Sequence, residues 1–234
     1  MPRSVRVLYV IDVTLGLAYF LVVMFPNLSY KLWHFFHLEL EQNLPTWYSS
    51  TKLFVLAVLV GLFALSRYDR RQPTTLALFA LPCMFLALSL DEIAELHEWL
   101  GYRLDVLFPE GDRAATAFEY TGIWGFVIGI PFLLISLGLL LALRRHLRIS
   151  AAALPKLMVG MVLLIVGACG VETFANFIDR ESPYFFLQVL GEEVLEMLGV
   201  TTMIWGSIDL LRAQGFKLTW LGMPGEEASE RSLS

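Results

Sequence analysis

Long apolar stretches with few charges alternate with short polar segments along almost the whole chain. Each stretch is close to the roughly 20 residues that a helix needs to cross the hydrocarbon core of a bilayer. We therefore predict an all-α fold, a polytopic membrane bundle of six transmembrane helices that forms one domain over residues 1–215. The predicted spans are 5–25, 51–66, 74–100, 117–143, 156–178 and 184–211.

Composition agrees with this prediction, because 57% of the 234 residues are hydrophobic and only 17% are charged. The chain shows no basic surface of the kind that binds nucleic acid, so the lipid bilayer is the expected surrounding and no nucleic-acid partner is expected. Residues 216–234 are polar, and we predict that they form a disordered tail on the cytoplasmic side.

The basic residues orient the bundle. Twelve of the 17 arginines and lysines fall on the side that holds both termini, and five fall on the other side. Because basic residues concentrate on the cytoplasmic side of membrane proteins, both termini are predicted to be cytoplasmic. The outer side holds 16 of the 22 acidic residues. Such an outer face is expected to attract cations.

The segment 27–50, between the first two spans, is amphipathic. Four polar residues recur along it at helical spacing: Tyr30, His34, His37 and Glu41. We predict an amphipathic helix that lies in the outer membrane interface and ends at Pro45. Ser49, Ser50 or Thr51 would then cap the second span.

Acidic residues interrupt the apolar pattern near the outer ends of the third, fifth and sixth spans. At 1.5 Å per residue from the basic cytoplasmic ends of their helices, Glu172 and Glu196 each lie at roughly 24 Å. Asp91 and Glu92 lie at roughly 30 Å by the same measure. Three helices thus place acids in one layer near the outer edge of the membrane core. Ionisable residues inside a membrane are costly and by default indicate a function.

Helical spacing also groups these acids, since Asp91, Glu95 and Glu98 share one face of a continuous helix. So many carboxylates do not all stay ionised side by side; some hold protons, or cations lie among them. We therefore predict a buried site for a divalent metal, with iron, zinc or manganese as the candidates that carboxylate and imidazole ligands suit. The predicted ligands are Glu92, Glu95, His97, Glu172, Glu193 and Glu196. Further ligands or a lid over the site are predicted at His34, His37, Glu41 and Asp91.

Other features of the spans predict packing. Asp12 in the first span is expected to be paired within the bundle. Gly125 and Gly129 form a G-x-x-x-G pattern that allows a neighbouring helix to approach closely, and Pro131 is expected to kink the fourth span.

Three stretches of the sequence resemble known proteins. The stretches 43–50 (NLPTWYSS) and 89–98 (SLDEIAELHE) resemble an uncharacterised family of bacterial multi-pass inner-membrane proteins. The resemblance implies a bacterial inner (cytoplasmic) membrane and carries no activity. The stretch 192–197 (EEVLEM) is similar to the Glu-Glu-x-x-x-Arg motif of the CAAX-protease-like family, but Met197 replaces the arginine, so that activity is not carried over.

The sequence is compatible with three functions. The first is metal binding, with or without catalysis on a lipid or quinone that enters from the membrane. The second is a non-catalytic subunit or assembly factor that binds a membrane-protein partner. The third is a proton- or cation-coupled transporter, for which protonatable acids at matched depth are suited.

Overall fold

The computed structural model describes residues 1–217 except 26, 28, 109, 110, 112, 114, 115, 120 and 181. The regular structure of these residues is helical, which confirms the predicted all-α fold. Six of the described helices are long and apolar enough to cross a membrane. They are Arg3–Met24, Leu44–Arg67, Thr75–Ala94, Gly125–Ala142, Ala153–Phe177 and Phe185–Ala213, called here the first to sixth spans. The predicted disordered tail lies outside the described residues from position 218 onwards.

The sixth span is the centre of the bundle. It packs against the first, second and fifth spans, and the second span packs against the third. Of its most apolar stretch, 61% is buried inside the protein, against 24–50% for the other five spans. A side chain on the sixth span therefore meets several other helices, which makes this span the one best placed to build a site.

Glycines allow the fifth span to contact its neighbours closely. A Cβ atom added to Gly199 of the sixth span would lie 2.7 Å from the carbonyl oxygen of Gly160 in the fifth. A Cβ atom added to Gly129 of the fourth span would lie 2.6 Å from Sγ of Cys169. Larger residues at these positions would push the helices apart. The predicted close approach at Gly129 is thus confirmed.

The segment between the first two spans differs from the prediction. Its helix covers only Tyr30–Phe36 and ends before His37, so His37 and Glu41 do not continue a helical polar stripe. Asn43 holds the non-helical part in place, because its Nδ2 donates to the carbonyl oxygens of His37 and Leu40, each at 2.6 Å.

The second span begins earlier than predicted, at Leu44. Asn43 is its cap, since Oδ1 of Asn43 accepts the backbone N–H of Thr46 at 3.2 Å. Pro45 belongs to the first turn of this helix, where a backbone N–H would have no helical partner in any case. The prediction that Pro45 ends the preceding helix and that residues 49–51 supply the cap is therefore wrong.

The third span ends earlier and the fourth begins later than predicted. The third span stops at Ala94, because Glu95 adopts the left-handed conformation with φ 50° and ψ 38°. A separate short helix, Leu96–Leu104, follows it. The fourth span starts with a π-helical turn over Gly125–Gly129, directly before Pro131. The wider turn lies where the missing N–H of the proline interrupts the α-helical hydrogen bonding.

Candidate functional site

A cavity of about 650 Å³ lies between the spans, where the third, fifth and sixth come together. Nine carboxylate residues line it together with His97: Glu39, Glu41, Asp91, Glu92, Glu98, Glu172, Glu192, Glu193 and Glu196. Apolar side chains line the rest of the wall, among them Leu53, Leu88, Phe132, Leu164 and Ile165. This volume falls within the range of about 300–1,000 Å³ that is typical of small-molecule sites. We call this space the acidic cavity.

Most of the predicted site residues meet in the acidic cavity. The predicted ligands that line it are Glu92, His97, Glu172, Glu193 and Glu196. Of the predicted additional residues, Glu41 and Asp91 line it as well, whereas Glu95, His34 and His37 are not among the lining residues. Glu192 lines the cavity although the predicted set does not contain it. Its i, i+4 spacing to Glu196 is the signal from which it could have been found.

The left-handed residue Glu95 turns the chain so that His97 meets Asp91. The backbone N–H of His97 donates to Oδ1 of Asp91 at 2.8 Å, and Nδ1 of the ring lies 2.9 Å from Oδ2. The ring also packs against Trp124, with 4.9 Å between the ring centroids. A carboxylate that holds one ring nitrogen orients the other one toward a ligand. The predicted continuous face of Asp91, Glu95 and Glu98 is therefore wrong, and a fixed His97–Asp91 pair takes its place.

The carboxylates around His97 determine its charge. Burial lowers the pKa of His97, but the hydrogen bond and charge of Asp91, together with the charges of Glu172 and Glu98, raise it by more. The resulting pKa is about 9. His97 therefore carries a proton at neutral pH and places one positive charge beside the acids.

Two acids of the fifth and sixth spans have neutral hydrogen-bond donors. Nε1 of Trp124 donates to Glu172 at 2.9 Å, and Nε2 of Gln188 donates to Glu192 at 2.6 Å. Gln188 is only 7% exposed. Its Oε1 is buried and has no hydrogen-bond partner among the described residues.

Three acids of the cavity lack such partners. No hydrogen bond or ion pair joins the side chain of Glu92, Glu193 or Glu196 to another residue in the part of the chain that the structure describes. Within the same residues, no three His, Cys, Asp or Glu side chains are placed so that they could hold one metal ion. The predicted ligands thus share a cavity without converging on one point.

The two histidines of the predicted lid lie elsewhere. His34 lines a separate groove of about 480 Å³ together with Trp47. His37 is buried, and its ring packs against Trp33 at 4.3 Å and Tyr19 at 5.1 Å between centroids. Burial lowers the pKa of His37, and the charge of His34 lowers it further. These contacts indicate that His37 packs the short helix Tyr30–Phe36 against the C-terminal part of the first span.

A buried ion pair, whose lysine the predicted site does not contain, lies deeper in the bundle. Nζ of Lys52 donates to Oδ1 of Asp12 at 2.8 Å, and the two side chains are 3% and 0% exposed. The expected pairing of Asp12 within the bundle is confirmed. Lys52 lies inside the bundle, although charge counting assigns it to the outer side. Its position eight residues into an apolar helix is the sequence signal for a buried, paired lysine.

These features define a class: a multi-pass membrane protein with six apolar helices and a large acidic cavity within the bundle. Residues 7–208 match the family described as Domain of unknown function (DUF8692), and the chain belongs to that family. No curated protein and no solved structure matches the chain.

Proposed function

We propose that the protein binds a cation in the acidic cavity. The observation that carries this proposal is the position of Glu92, Glu193 and Glu196, which line one space without a hydrogen-bond or ion-pair partner among the described residues. Nine carboxylates line the cavity, whereas its positively charged lining residues are His97, Arg113 and Arg180. Carboxylates in a low-dielectric interior need protons or cations to offset their charge.

The side chain of Gln188 is a second argument that the cavity binds a ligand and not protons alone. Its amide oxygen is buried without a partner among the described residues, although its amide nitrogen is fully used on Glu192 and the carbonyl oxygen of Val171. A buried polar atom of this kind usually has an unobserved partner. Carboxylate and amide oxygens together are ligands for hard cations.

The proposed ligand is positively charged, and two sources fit this chemistry. A divalent metal is the first, with manganese, iron and zinc as candidates, because carboxylates suit these ions and His97 could join them once the metal displaces a ring proton. The described side chains do not form a closed three-ligand group, so such an ion would retain water or draw Glu193 and Glu196 together. The cavity of about 650 Å³ also has room for an organic ammonium ion, the second source.

We further propose a location in the inner membrane of a bacterium, with both termini in the cytoplasm. The distribution of arginine and lysine along the sequence supports this orientation. In that orientation the acidic cavity lies toward the outer side, where it would take up its cation.

The test is direct binding to the purified protein in detergent. Elemental analysis would identify a co-purifying metal, and calorimetric titration with Mn²⁺, Zn²⁺ and tetramethylammonium, each alone, would measure affinity. We expect one class of cation to bind and the double variant Glu193→Gln/Glu196→Gln to weaken that binding at least tenfold. Glu119→Gln is the matched control, because Glu119 is exposed and does not line the cavity.

The outcomes separate the alternatives. Binding of Mn²⁺ or Zn²⁺ that depends on Glu193 and Glu196 supports a metal site. Binding of tetramethylammonium alone, with the same dependence, supports an organic cation. If no cation binds, or if the glutamine variants bind as tightly as the wild type, the proposed function is wrong.

A further inference from the structure

The acidic cavity has a charged side and an apolar side. Three of its carboxylates, those of Glu192, Glu193 and Glu196, belong to the sixth span. The sixth span packs against the first, second and fifth spans, so the cavity lies between it and the third and fourth. The lining residues of the fourth span are apolar, and so are the two that the third span contributes before Asp91. They are Ala87, Leu88, Ile128, Gly129 and Phe132.

The apolar side of the cavity lies where the third and fourth spans separate. These spans meet at Met84 and Ser136, where Sδ of Met84 lies 3.1 Å from Oγ of Ser136. About one helical turn from this contact, in the direction of the acids, Ala87 and Leu88 line the cavity on the third span and Phe132 lines it on the fourth. The third span packs mainly on the second, and the fourth on the fifth. The apolar lining residues therefore stand beside a gap between two helices.

This gap leads to the surface that faces lipid. Ala87 lines the cavity and is also exposed on the outside of the third span. Leu86 and Leu90, which flank it, are 42% and 58% exposed. An exposed apolar face on a membrane-spanning helix lies against lipid chains. The cavity can thus be entered sideways from the bilayer at Ala87.

The same cavity reaches a polar surface at its other end. Glu39, Glu98 and Tyr102 line it there and are exposed. Charged groups of membrane-bound molecules lie at such a polar end, while their apolar chains extend into the hydrocarbon core. A ligand with one charged group and one apolar chain would therefore fit both parts of the wall.

We propose that the ligand of the acidic cavity is an amphiphilic cation, a primary alkylammonium whose head group lies among the carboxylates and whose alkyl chain leaves through the gap between the third and fourth spans. This inference rests on the proposed function, since it needs a cation in the cavity. It names the chemical class of that cation and its route of entry.

The polar groups of the cavity suit an ammonium head group. Within the described residues, no three acidic, histidine or cysteine side chains converge as a small metal ion requires. An ammonium ion is larger and donates three separate hydrogen bonds, so it can contact groups that stand apart. Glu193 and Glu196 would accept two of them. The third would go to Gln188, whose buried Oε1 has no partner among the described residues.

The test compares ligands that differ in one part at a time. Calorimetric titration of the purified protein in detergent at pH 7 uses methylammonium, hexylammonium and 1-hexanol, each alone, after subtraction of the heat measured with protein-free detergent. Hexylammonium has five more methylene groups than methylammonium, and each one that is buried raises affinity roughly fourfold. We expect hexylammonium to bind at least tenfold more tightly than methylammonium. The neutral 1-hexanol should bind at least tenfold more weakly than hexylammonium, because it lacks the charge that the carboxylates require.

A pair of variants tests the route of the alkyl chain. Ala87→Trp places a large side chain at the gap and should remove most of the gain in affinity that hexylammonium has over methylammonium. Ala80→Trp is the matched control, because Ala80 is exposed on the same span, seven residues before Ala87, and does not line the cavity. This variant should keep the full gain. Thermal unfolding of both variants checks that they are folded.

Several outcomes would overturn the inference while the proposed function stands. One is binding of Mn²⁺ or Zn²⁺ without binding of any ammonium ion, and another is equal affinity for methylammonium and hexylammonium. Equal binding of 1-hexanol and hexylammonium would show that the cavity recognises the chain alone. If Ala87→Trp keeps the full gain, the chain does not leave between the third and fourth spans. If neither the ammonium ions nor the metals bind, it is the proposed function that fails.

Discussion

Carboxylates in two different surroundings lie inside the membrane-spanning helices. Asp12 receives hydrogen bonds from Lys52, Tyr48 and Thr201 and is completely buried. Glu193 and Glu196, on the same sixth span as Thr201, have no hydrogen-bond or ion-pair partner in the described structure and face a cavity. Asp12 therefore has a cation, Lys52, beside it, whereas Glu193 and Glu196 need a proton or a cation from outside the bundle.

This difference separates two roles of a buried charge. A buried carboxylate with a full set of donors and an opposite charge is stable only while each partner is present, because each partner offsets the cost of desolvating the other. A carboxylate that faces an open cavity keeps access to water and ions, so its environment changes with what occupies the cavity. Stability experiments should therefore respond to Asp12, and binding experiments to Glu193 and Glu196.

The largest expected effect comes from breaking the buried ion pair. Lys52→Met leaves Asp12 charged without a cation, and loss of one partner of a buried pair costs about 3–5 kcal/mol. We expect a lowered midpoint of thermal unfolding in detergent, and a partial recovery in Asp12→Asn/Lys52→Met, where no charge remains. Glu193→Gln, the same kind of change in the cavity, should alter stability by less than about 1 kcal/mol. A Glu193→Gln variant that is as unstable as Lys52→Met would remove the distinction.

A smaller effect is expected from closing the space beside the cavity. A Cβ atom on Gly167 of the fifth span would lie 2.7 Å from Cγ of Glu196 and 2.8 Å from the carbonyl oxygen of Glu192. Since the second contact is with backbone, Gly167→Ala should separate the fifth and sixth spans and cost about 1–3 kcal/mol of unfolding free energy. Gly138→Ala is the control, because a Cβ there meets nothing within 4 Å. Thermal unfolding of both variants measures the difference, and equal stabilities would contradict the close contact.

The sequence predicts the layer of acids well, for a geometric reason. Counted at constant rise from the basic ends of their helices, Glu172 and Glu196 fall at one depth, and both line the acidic cavity. Apolar length and charge likewise predict six spans, because these properties depend on composition over many residues. Such averages tolerate errors of a few positions at each helix end.

Two features of the site could not be predicted in the same way. Glutamate favours helices, so helix propensity does not indicate the left-handed break at Glu95. The contact of His97 with Asp91, six residues away, spans this break and is not one that a continuous helix would make. Lys52 meets Asp12 across 40 positions of sequence, which no helical spacing reveals. The details of the site thus depend on helix boundaries and on long-range pairs, whereas the common depth of the acids follows from the constant rise of a helix.

The smallest expected effect concerns His97, which shares one feature with Asp12 and another with the cavity carboxylates. It lines the open cavity, yet Asp91 gives it a fixed partner. Burial lowers the pKa of His97, but Asp91, Glu172 and Glu98 bring it to about 9, above its ordinary value of 6.5. Because the folded protein holds this proton more tightly than the unfolded chain, the stabilisation is complete below about pH 6.5 and is lost as the pH rises through about 9.

The stability difference between wild type and His97→Gln, measured as the midpoint of thermal unfolding, should therefore be greatest near pH 6 and shrink toward pH 10. Asp91→Asn should reduce the same difference, since its charge and hydrogen bond favour the imidazolium. The burial that opposes this shift would remain in that variant, so part of the pH dependence of the wild type should reverse. A difference that stays constant from pH 6 to 10 would mean that folding does not raise the pKa of His97, which would then be neutral above about pH 7. His97 would then be free to act as a metal ligand at neutral pH, and the acidic cavity would depend entirely on its bound cation for positive charge at this position.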